Sequence, residues 1–391
     1  EMYQINTSKG HQFTVNKDHI LCIKATEIGS IYNCKKENRI KVLWQEKDLL
    51  GYPTNVSKNF PYKSNTKKVY RKNVFYYNTQ QEALQAAEDF KDNLKNNENY
   101  IRNNDIIEIP VKEFVKIQNK IGKRNYYIYS NGVDFEHNAV DLDPYILGYW
   151  IGDGNSNSSA ITTMDNEVIE YFNNTLKLNA TIHNKNKTAK TYYYSNGRGK
   201  SNYFFEFLKN NNLINNKHIP FNYKTNSKKI RLELLAGLID SDGHYQKKSN
   251  QYEITLKQEH IIDDIVYIAL SLGFASKKKQ CTKSWISNGE KKYNNYYNCI
   301  IYGNGIENIP VLLDRKKAYP RNINKNATKY SFNIKKVDND KYYGFTVDKN
   351  HRYLTSDFIC HHNCGGNGKS KLIELFSMSL GEYKTNLPIS L

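Results

Sequence analysis

The stretch from Leu234 to Tyr245, LLAGLIDSDGHY, constrains the fold more than any other part of this sequence. It closes an apolar helix pattern through Ile230, Leu232, Leu234, Leu235 and Leu238, with Ser227 at the cap and Gly243 placed to stop it. Ala236 and Gly237 sit mid-helix where bulk is expected, and a glycine there costs roughly 1 kcal/mol relative to alanine. Close approach of another backbone would offset that loss, so this face predicts contact with a second helix. Asp240 and Asp242 lie at the C-terminal end, whose dipole repels carboxylates. A bound cation would remove that penalty.

A second helix of the same kind lies upstream. Asp143-Pro144-Tyr145-Ile146-Leu147-Gly148-Tyr149-Trp150-Ile151-Gly152-Asp153-Gly154 has an Asp cap, Pro at the first helical position, a mid-helix glycine and a terminal Asp-Gly. Aligning the two Asp-Gly ends pairs Gly148 with Gly237 and Asp153 with Asp242, a separation of 242 − 153 = 89 residues. After each helix comes a strand-like run and then a helical period: Val168, Ile169, Tyr171, Phe172 and Leu176 in one copy, Ile261, Ile262, Ile265, Val266, Ala269 and Leu270 in the other. This is an internal duplication.

LLAGLIDSDG and ILGYWIGDG resemble the two signature helices of LAGLIDADG (DOD-type) homing endonucleases. The resemblance implies αββαββα-type repeats whose paired helices cross at a pseudo-two-fold axis and deliver one acidic residue each, Asp153 and Asp242, to the cleavage centre. It implies Mg²⁺ held by those two carboxylates, a long asymmetric double-stranded DNA site and a monomeric endonuclease. Asn216-Lys217-His218-Ile219-Pro220 resembles the family's Lys-x-Ile-Pro block, which makes Lys217 a catalytic candidate able to screen phosphorane charge or position the attacking water. The second repeat offers Ile309-Pro310 and then Arg315-Lys316-Lys317, where Lys316 reads as a surface phosphate contact.

The 391 residues carry a net charge of +18, which indicates at least two domains and a polyanionic partner. Six scattered cysteines fit a reducing intracellular setting, the cytoplasm or a viral replication site, rather than a disulfide framework. No run approaches ~18 apolar residues and no signal peptide opens the chain, so no membrane is expected.

Gly10 to Leu21 alternates like a strand and is similar to the intein segment carrying a Thr three positions before a His. His19 fits, and the Thr position is Asn16. Residues 32–98 read as an inserted module: strand-like pieces at Arg39 to Trp44, Asn59 to Tyr62 and Asn73 to Tyr77, then a helix capped by Thr79, with dense lysines through Lys58 to Lys72. It is either an extra DNA-contacting insert or a charged decoration.

Tyr343 to Leu354 and Asp357 to Cys364 look like the closing blocks of an intein. In such a segment Asn363 attacks its own carbonyl to form a succinimide, His362 polarises that peptide, His351 assists from the adjacent strand, and Cys364 supplies the thiol that takes the upstream acyl group. Gly344 stands where many inteins carry an Asp, so another residue would have to supply that carboxylate's help. A zinc site of Cys360, His361, His362 and Cys364 is disfavoured, because adjacent strand residues point to opposite faces and no second pair lies at ligand spacing.

Beyond the intein-like blocks, Gly368-Lys369-Ser370 opens an apolar helix pattern like the back half of an ATP/Mg²⁺-binding phosphate loop. GGNGKSKLIELF with Leu380-Gly381-Glu382-Tyr383 resembles the ATPase of viral superfamily-three primase-helicases. Such a loop needs a glycine five positions before Gly368, where Asn363 now stands, so the upstream host segment is expected to end in Gly. An intein of this kind opens with Cys or Ser. That block is expected to have been trimmed or to be separately encoded.

The expected fold is α+β, a mostly β Hint splicing domain interrupted by the two-repeat endonuclease. Its parts are 1–31 (N-terminal splicing strands), 32–98 (the insert), 99–140 (splicing strands and linker), 141–328 (endonuclease, repeats 141–226 and 227–328), 329–363 (C-terminal splicing part) and 364–391 (host ATPase). The expected function is protein splicing with site-specific double-strand DNA cleavage. The opposing reading is a basic DNA-binding module with a non-cleaving endonuclease and inactive splicing domain.

Overall fold

The computed structural model describes residues 1–63, 76–121, 125–183, 188–197, 200, 202–287, 290–321, 326–341 and 347–363. Cys364, Gly368, Lys369, Ser370 and the Tyr343 to Thr346 part of the closing block lie outside the described residues, as does most of the lysine-dense run. The chain is a mixed α+β protein of two compact units: Glu1–Tyr129 with Lys329–Thr355 and the residues from Ile359 on, and Ser130–Thr328 with Ser356–Phe358.

In the second unit the helices Pro144–Asp153 and Lys228–Asp242 pack against one another through their glycines. A Cβ on Gly148 would strike the Leu234 carbonyl oxygen and lie 3.1 Å from the Leu238 nitrogen; one on Gly237 would strike the Tyr145 carbonyl oxygen and lie 2.6 Å from the Tyr149 nitrogen. Adding 89 to 145, 148 and 149 gives 234, 237 and 238, so each glycine meets the same positions of the other repeat. The duplication is therefore a two-fold pairing in space.

Each glycine helix is followed by strand structure and a second helix, Asn166–Leu176 or Glu259–Ser271; of the marked positions Val168, Phe172, Leu176, Ile261, Ile262, Ile265, Ala269 and Leu270 are buried, and Ile169, Tyr171 and Val266 are partly buried. The first repeat holds a three-stranded sheet ordered Asn179–His183, Lys190–Ser195, Ala160–Thr163. The second has four strands ordered Gly243–Gln246, Gln251–Leu256, Glu290–Tyr302, Ala275–Ser287. The repeats share an αββ plan with differences: the first strand of repeat one is reduced to a single bridge between Gly154 and Ile161, and its later strands are shorter than the 13-residue strands of repeat two.

Residues 130–140, read from sequence as splicing strands and linker, pack on this unit. Fully buried Arg231 donates to the Val133 carbonyl at 2.6 Å, to that of Asn226 at 2.7 Å and to Ser271 Oγ at 2.5 Å.

The first unit is made mainly of antiparallel strands. Met2–Thr7 pairs with Phe332–Val337 on one side and Gln12–Asn16 on the other, so distant parts of the sequence share one sheet. A second sheet runs Lys329–Tyr330, Tyr126–Tyr129, Ile20–Ala25, Ile106–Pro110, and a hairpin joins Arg352–Leu354 to Cys360–His362.

The insert has a small core of its own. Strands Ser30–Cys34, Arg39–Lys47 and Pro53–Pro61 and helix Gln80–Leu94 bury Ile40, Val42, Trp44, Phe60, Ala83 and Ala87. Thr79 and Glu82 form a capping box at the start of that helix. The strand Ser30–Cys34 is an addition to the pieces the sequence pattern marks. Asn73 to Phe75 of an expected third strand lie outside the described residues, and Tyr77 bridges Tyr62.

Candidate functional site

In the second unit the two glycine helices end side by side. Gly152 clears the space: a Cβ there would strike Ser241 Oγ and stand 2.6 Å from Asp242 Oδ2. Asp153 is half-buried and Asp242 keeps an open side. Burial, and then the charge of Asp242, push the Asp153 carboxyl up to about 6, while Lys316 and Lys217 work against the shift. Burial raises Asp242 as well, opposed by Lys217, Lys316 and Lys283.

Each helix end is capped by a lysine. Lys217 Nζ donates to the carbonyls of Gly152 at 3.1 Å and Gly154 at 2.6 Å. Lys316 Nζ donates to those of Ile239 at 2.8 Å, Asp240 at 2.7 Å and Ser241 at 3.3 Å. Burial lowers the Lys217 ammonium to about 8, opposed by Asp242 and Asp153, and lowers Lys316 likewise. The reading of Lys316 as a surface residue is therefore corrected. It is half-buried, and it does at the second helix what Lys217 does at the first.

Two further groups shape this end. Asp240 accepts from Tyr145 Oη at 2.9 Å and from the Leu312 amide at 2.6 Å, so it fixes the loop that carries Lys316. It is a buried structural carboxylate. Arg315 makes a two-pronged pair with Asp165, at 2.6 and 2.8 Å. Beside Lys316, a cavity of about 440 Å³ is lined by His244, Tyr245, Lys247, Arg315 and Lys316, a basic setting suited to phosphate.

Among the described residues no three His, Cys, Asp or Glu side chains converge as a metal cage. The Asp153 and Asp242 pair still fits a divalent cation. Each carboxyl is shifted toward its neutral form, which a cation would reverse, and Mg²⁺ is commonly held by one or two carboxylates with waters and substrate phosphates.

Among the described residues the first unit holds His19, His351, His362 and Asn363. His362 Nδ1 lies 2.5 Å from the Asn363 carbonyl oxygen, and the Asn363 amide donates to the His351 carbonyl at 2.8 Å. The His351 and His362 rings are 5.8 Å apart. Arg352 stands opposite His362 across the hairpin and gives 2.6 Å contacts to Glu108 Oε1 from Nε and Nη2. The other oxygen, Glu108 Oε2, is 3.7 Å from His362 Nε2. His19 is buried 5.9 Å, ring to ring, from His361, which also stacks on Tyr353 and meets Phe13 edge-on. Asn16 Oδ1 is buried without a hydrogen-bond partner among the described residues.

The family described as Homing endonuclease matches residues 218–311. Residues 218–311 are thus similar to that family, over about a quarter of the chain.

The matched stretch starts next to Lys217 and spans the second glycine helix and its strands. The chain is similar to the replicative DNA helicase DnaB of Mycobacterium intracellulare, 27% identical over 37% of this chain and 21% of the helicase. It is similar to the catalytic subunit of the V-type proton ATPase of Candida tropicalis, 25% identical over 57% of this chain and 25% of that protein. It is also similar to the homothallic switching endonuclease of Saccharomyces cerevisiae, 25% identical over 58% of this chain and 44% of that protein. The chain thus spans less than half the length of each of these relatives. Solved structures of the homing endonuclease I-DmoI, in mesophilic variants and in complex with DNA and Mn, are each 16% identical, cover 41% of this chain (87% and 88% of the solved chains) and align with a TM-score of 0.26.

Proposed function

We propose that this chain is an intein with an embedded, site-specific double-strand DNA endonuclease. The reading rests most on one observation: two lysine-capped helix ends that place Asp153 and Asp242 together. In it, a divalent cation, Mg²⁺ by its fit to carboxylates and phosphate oxygens, supplies charge neutralisation at the scissile phosphate. Asp153 and Asp242 hold the cation. Lys217 and Lys316, fixed by helix-end carbonyls, screen the charge that develops on the phosphorane.

The two repeats are alike in plan and different in side chains, so the favoured target is long, double-stranded and asymmetric, taken by a monomer. The second-repeat hairpin offers exposed Lys277, Lys279 and Lys283 on the face opposite the Glu259–Ser271 helix, whose Glu259 and Asp263 hold Lys278. Lys283 is near enough to oppose the upward shift of Asp242. The 32–98 insert, whose Lys58 lies over the Phe90 ring, is either an additional DNA contact or a charged decoration.

Splicing is supported by the junction geometry and by the relatives. Their names describe three unrelated proteins, an endonuclease, a helicase and part of a proton ATPase, and each shares only part of its length with this chain. A segment shared in that way is what a mobile insertion leaves. At the junction the Asn363 side-chain nitrogen bonds to its own carbonyl carbon, the peptide bond to Cys364 breaks, and the amide proton ends on the released amine. His362 donates to the carbonyl oxygen as charge builds there. Cys364 takes the upstream acyl group, with His19 and His351 assisting. The host is read from Gly368, Lys369 and Ser370 as an ATP-binding, viral primase-helicase type ATPase, working in a reducing intracellular compartment. No described helix is long and apolar enough to cross a membrane.

Incubating the protein with Mg²⁺ and a library of long DNA sites tests the nuclease half. A linear product from a subset of sites, abolished by chelation, is expected. Binding without cleavage at any Mg²⁺ concentration would favour a non-cleaving module.

A further inference from the structure

Each lysine at the helix ends is tied to the repeat that does not carry it. Lys217 belongs to repeat one, and its carbonyl oxygen lies 2.9 Å from Nε2 of His260, on the second helix of repeat two. Lys316 belongs to repeat two, and its neighbour Arg315 reaches Asp165, the residue that starts the second helix of repeat one. The two repeats therefore cross over at both lysines. The ties differ in chemistry: one is a single contact to a carbonyl, the other a two-pronged charge pair at 2.6 and 2.8 Å.

The Asp165 side chain serves that pair rather than its own helix. An aspartate at this position ordinarily accepts from the first-turn amides, yet Asp165 makes no side-chain capping bond. Both its oxygens go to Arg315 instead. The side chain is 13% exposed, and Arg315 holds the carboxyl below the usual carboxylate range, so the pair stays charged. The Asp165 amide donates to Thr163 Oγ1 at 3.1 Å, which also accepts from Tyr149 Oη at 3.0 Å, so this residue is anchored to the glycine helix Pro144–Asp153. Within its own repeat the Lys316 segment is held by Asp240, at the Leu312 amide, and by Tyr252 Oη, which donates to the Lys316 carbonyl at 2.9 Å. Arg315 adds the anchor from the other repeat.

We propose that Asp165 is a positioning residue for DNA cleavage: through Arg315 it holds Lys316 at the end of the Lys228–Asp242 helix, so that the second repeat's half of the site depends on the first repeat. This rests on the reading of the paired helix ends as a cleavage centre. Because Asp240 and Tyr252 hold the same segment, breaking the pair should cost about tenfold in rate, less than removing the ammonium itself.

The test is a double-variant cycle on single-turnover cleavage at saturating DNA with Mg²⁺, in which Asp165→Asn and Arg315→Gln are each made alone, with Lys316→Met and with Lys217→Met. Alone, each should slow cleavage about tenfold. Combined with Lys316→Met, neither should slow it further, because the ammonium they position is gone; combined with Lys217→Met, each should still cost about tenfold. A loss that multiplies equally in both backgrounds would mean that the pair merely supports the fold, and would overturn the proposal. A parental rate for Asp165→Asn, with or without tighter DNA binding by the released Arg315, would overturn it too. Hydrogen exchange in the metal-free protein supplies a readout independent of cleavage. The Lys316 amide, which donates to the Leu313 carbonyl at 2.8 Å, should exchange faster in Asp165→Asn, and amides beside Lys217 at the parental rate. Unchanged exchange at Lys316 would contradict the proposal. A parent that cleaves no site would remove the endonuclease reading, while the exchange comparison would still report whether Asp165 holds the Lys316 segment.

Discussion

Lys217 and Lys316 cap the same turn of two different helices. Lys217 binds the carbonyls of residues 152 and 154, Lys316 those of residues 239 to 241, and position 152 corresponds to 241 at the 89-residue repeat. An ammonium held at a helix C-terminus offsets the negative end of the dipole and faces the acidic pair. Lys316→Met is therefore expected to slow DNA cleavage about as much as Lys217→Met, on the order of 10²-fold each, from loss of transition-state charge screening. Single-turnover cleavage rates measured beside DNA affinity check this. A Lys316 variant that only weakens binding would return the residue to a surface role.

The glycine contacts decide the sign of a conservative change. Gly237→Ala gains about 1 kcal/mol of helix propensity. Its new Cβ meets the backbone atoms of Tyr145 and Tyr149, which cannot swing aside as a side chain would. Overpacking of this kind costs about 1–3 kcal/mol, so net destabilisation is expected. Thermal or urea unfolding monitored in the endonuclease unit measures it, and Gly148→Ala should match it by symmetry.

Asp153 sets a pH dependence. Its carboxyl is raised from 3.8 to about 6, so the folded state holds the proton more tightly than the unfolded chain. The resulting destabilisation is absent below about pH 4, grows as pH rises toward 6 and is complete above it. Asp153→Asn should therefore stabilise the metal-free protein at pH 7.5, by on the order of 1–3 kcal/mol, and leave it unchanged near pH 4. Added Mg²⁺ should stabilise the parent and not the variant. Denaturant melts at both pH values, with and without chelator, report all three effects.

Binding should be dominated by phosphate contacts. With a net charge of +18 and lysines exposed along the Ala275–Ser287 strand, affinity for DNA should fall by orders of magnitude between about 50 and 200 mM salt. Replacing Lys279 and Lys283 together by Gln should reduce the slope of log affinity against log salt by about 2. A flat salt response would count against a DNA substrate.

What the sequence makes legible is local. The glycine helices carry their own signals, the caps, the misplaced glycines and the terminal Asp-Gly pairs, and so does the Thr79 helix with Glu82 three residues on. The capping role of Lys316 escapes a sequence reading because the repeats differ in length: 217 − 153 is 64 residues and 316 − 242 is 74, since the second hairpin has 13-residue strands. A fixed 89-residue offset from Lys217 lands on Ile306. Glu108 and Arg352 give no sign, because they lie 244 residues apart and meet only when Ile106–Pro110 and the closing hairpin come together.

The central claim is that Asp153 and Asp242 together cleave both DNA strands. It is tested most directly by assaying Asp153→Asn and Asp242→Asn on a cognate site with Mg²⁺, with binding measured in parallel. Both variants should bind DNA at near-parental affinity and yield no linear product. Linearisation by either one at the parental rate would contradict the account.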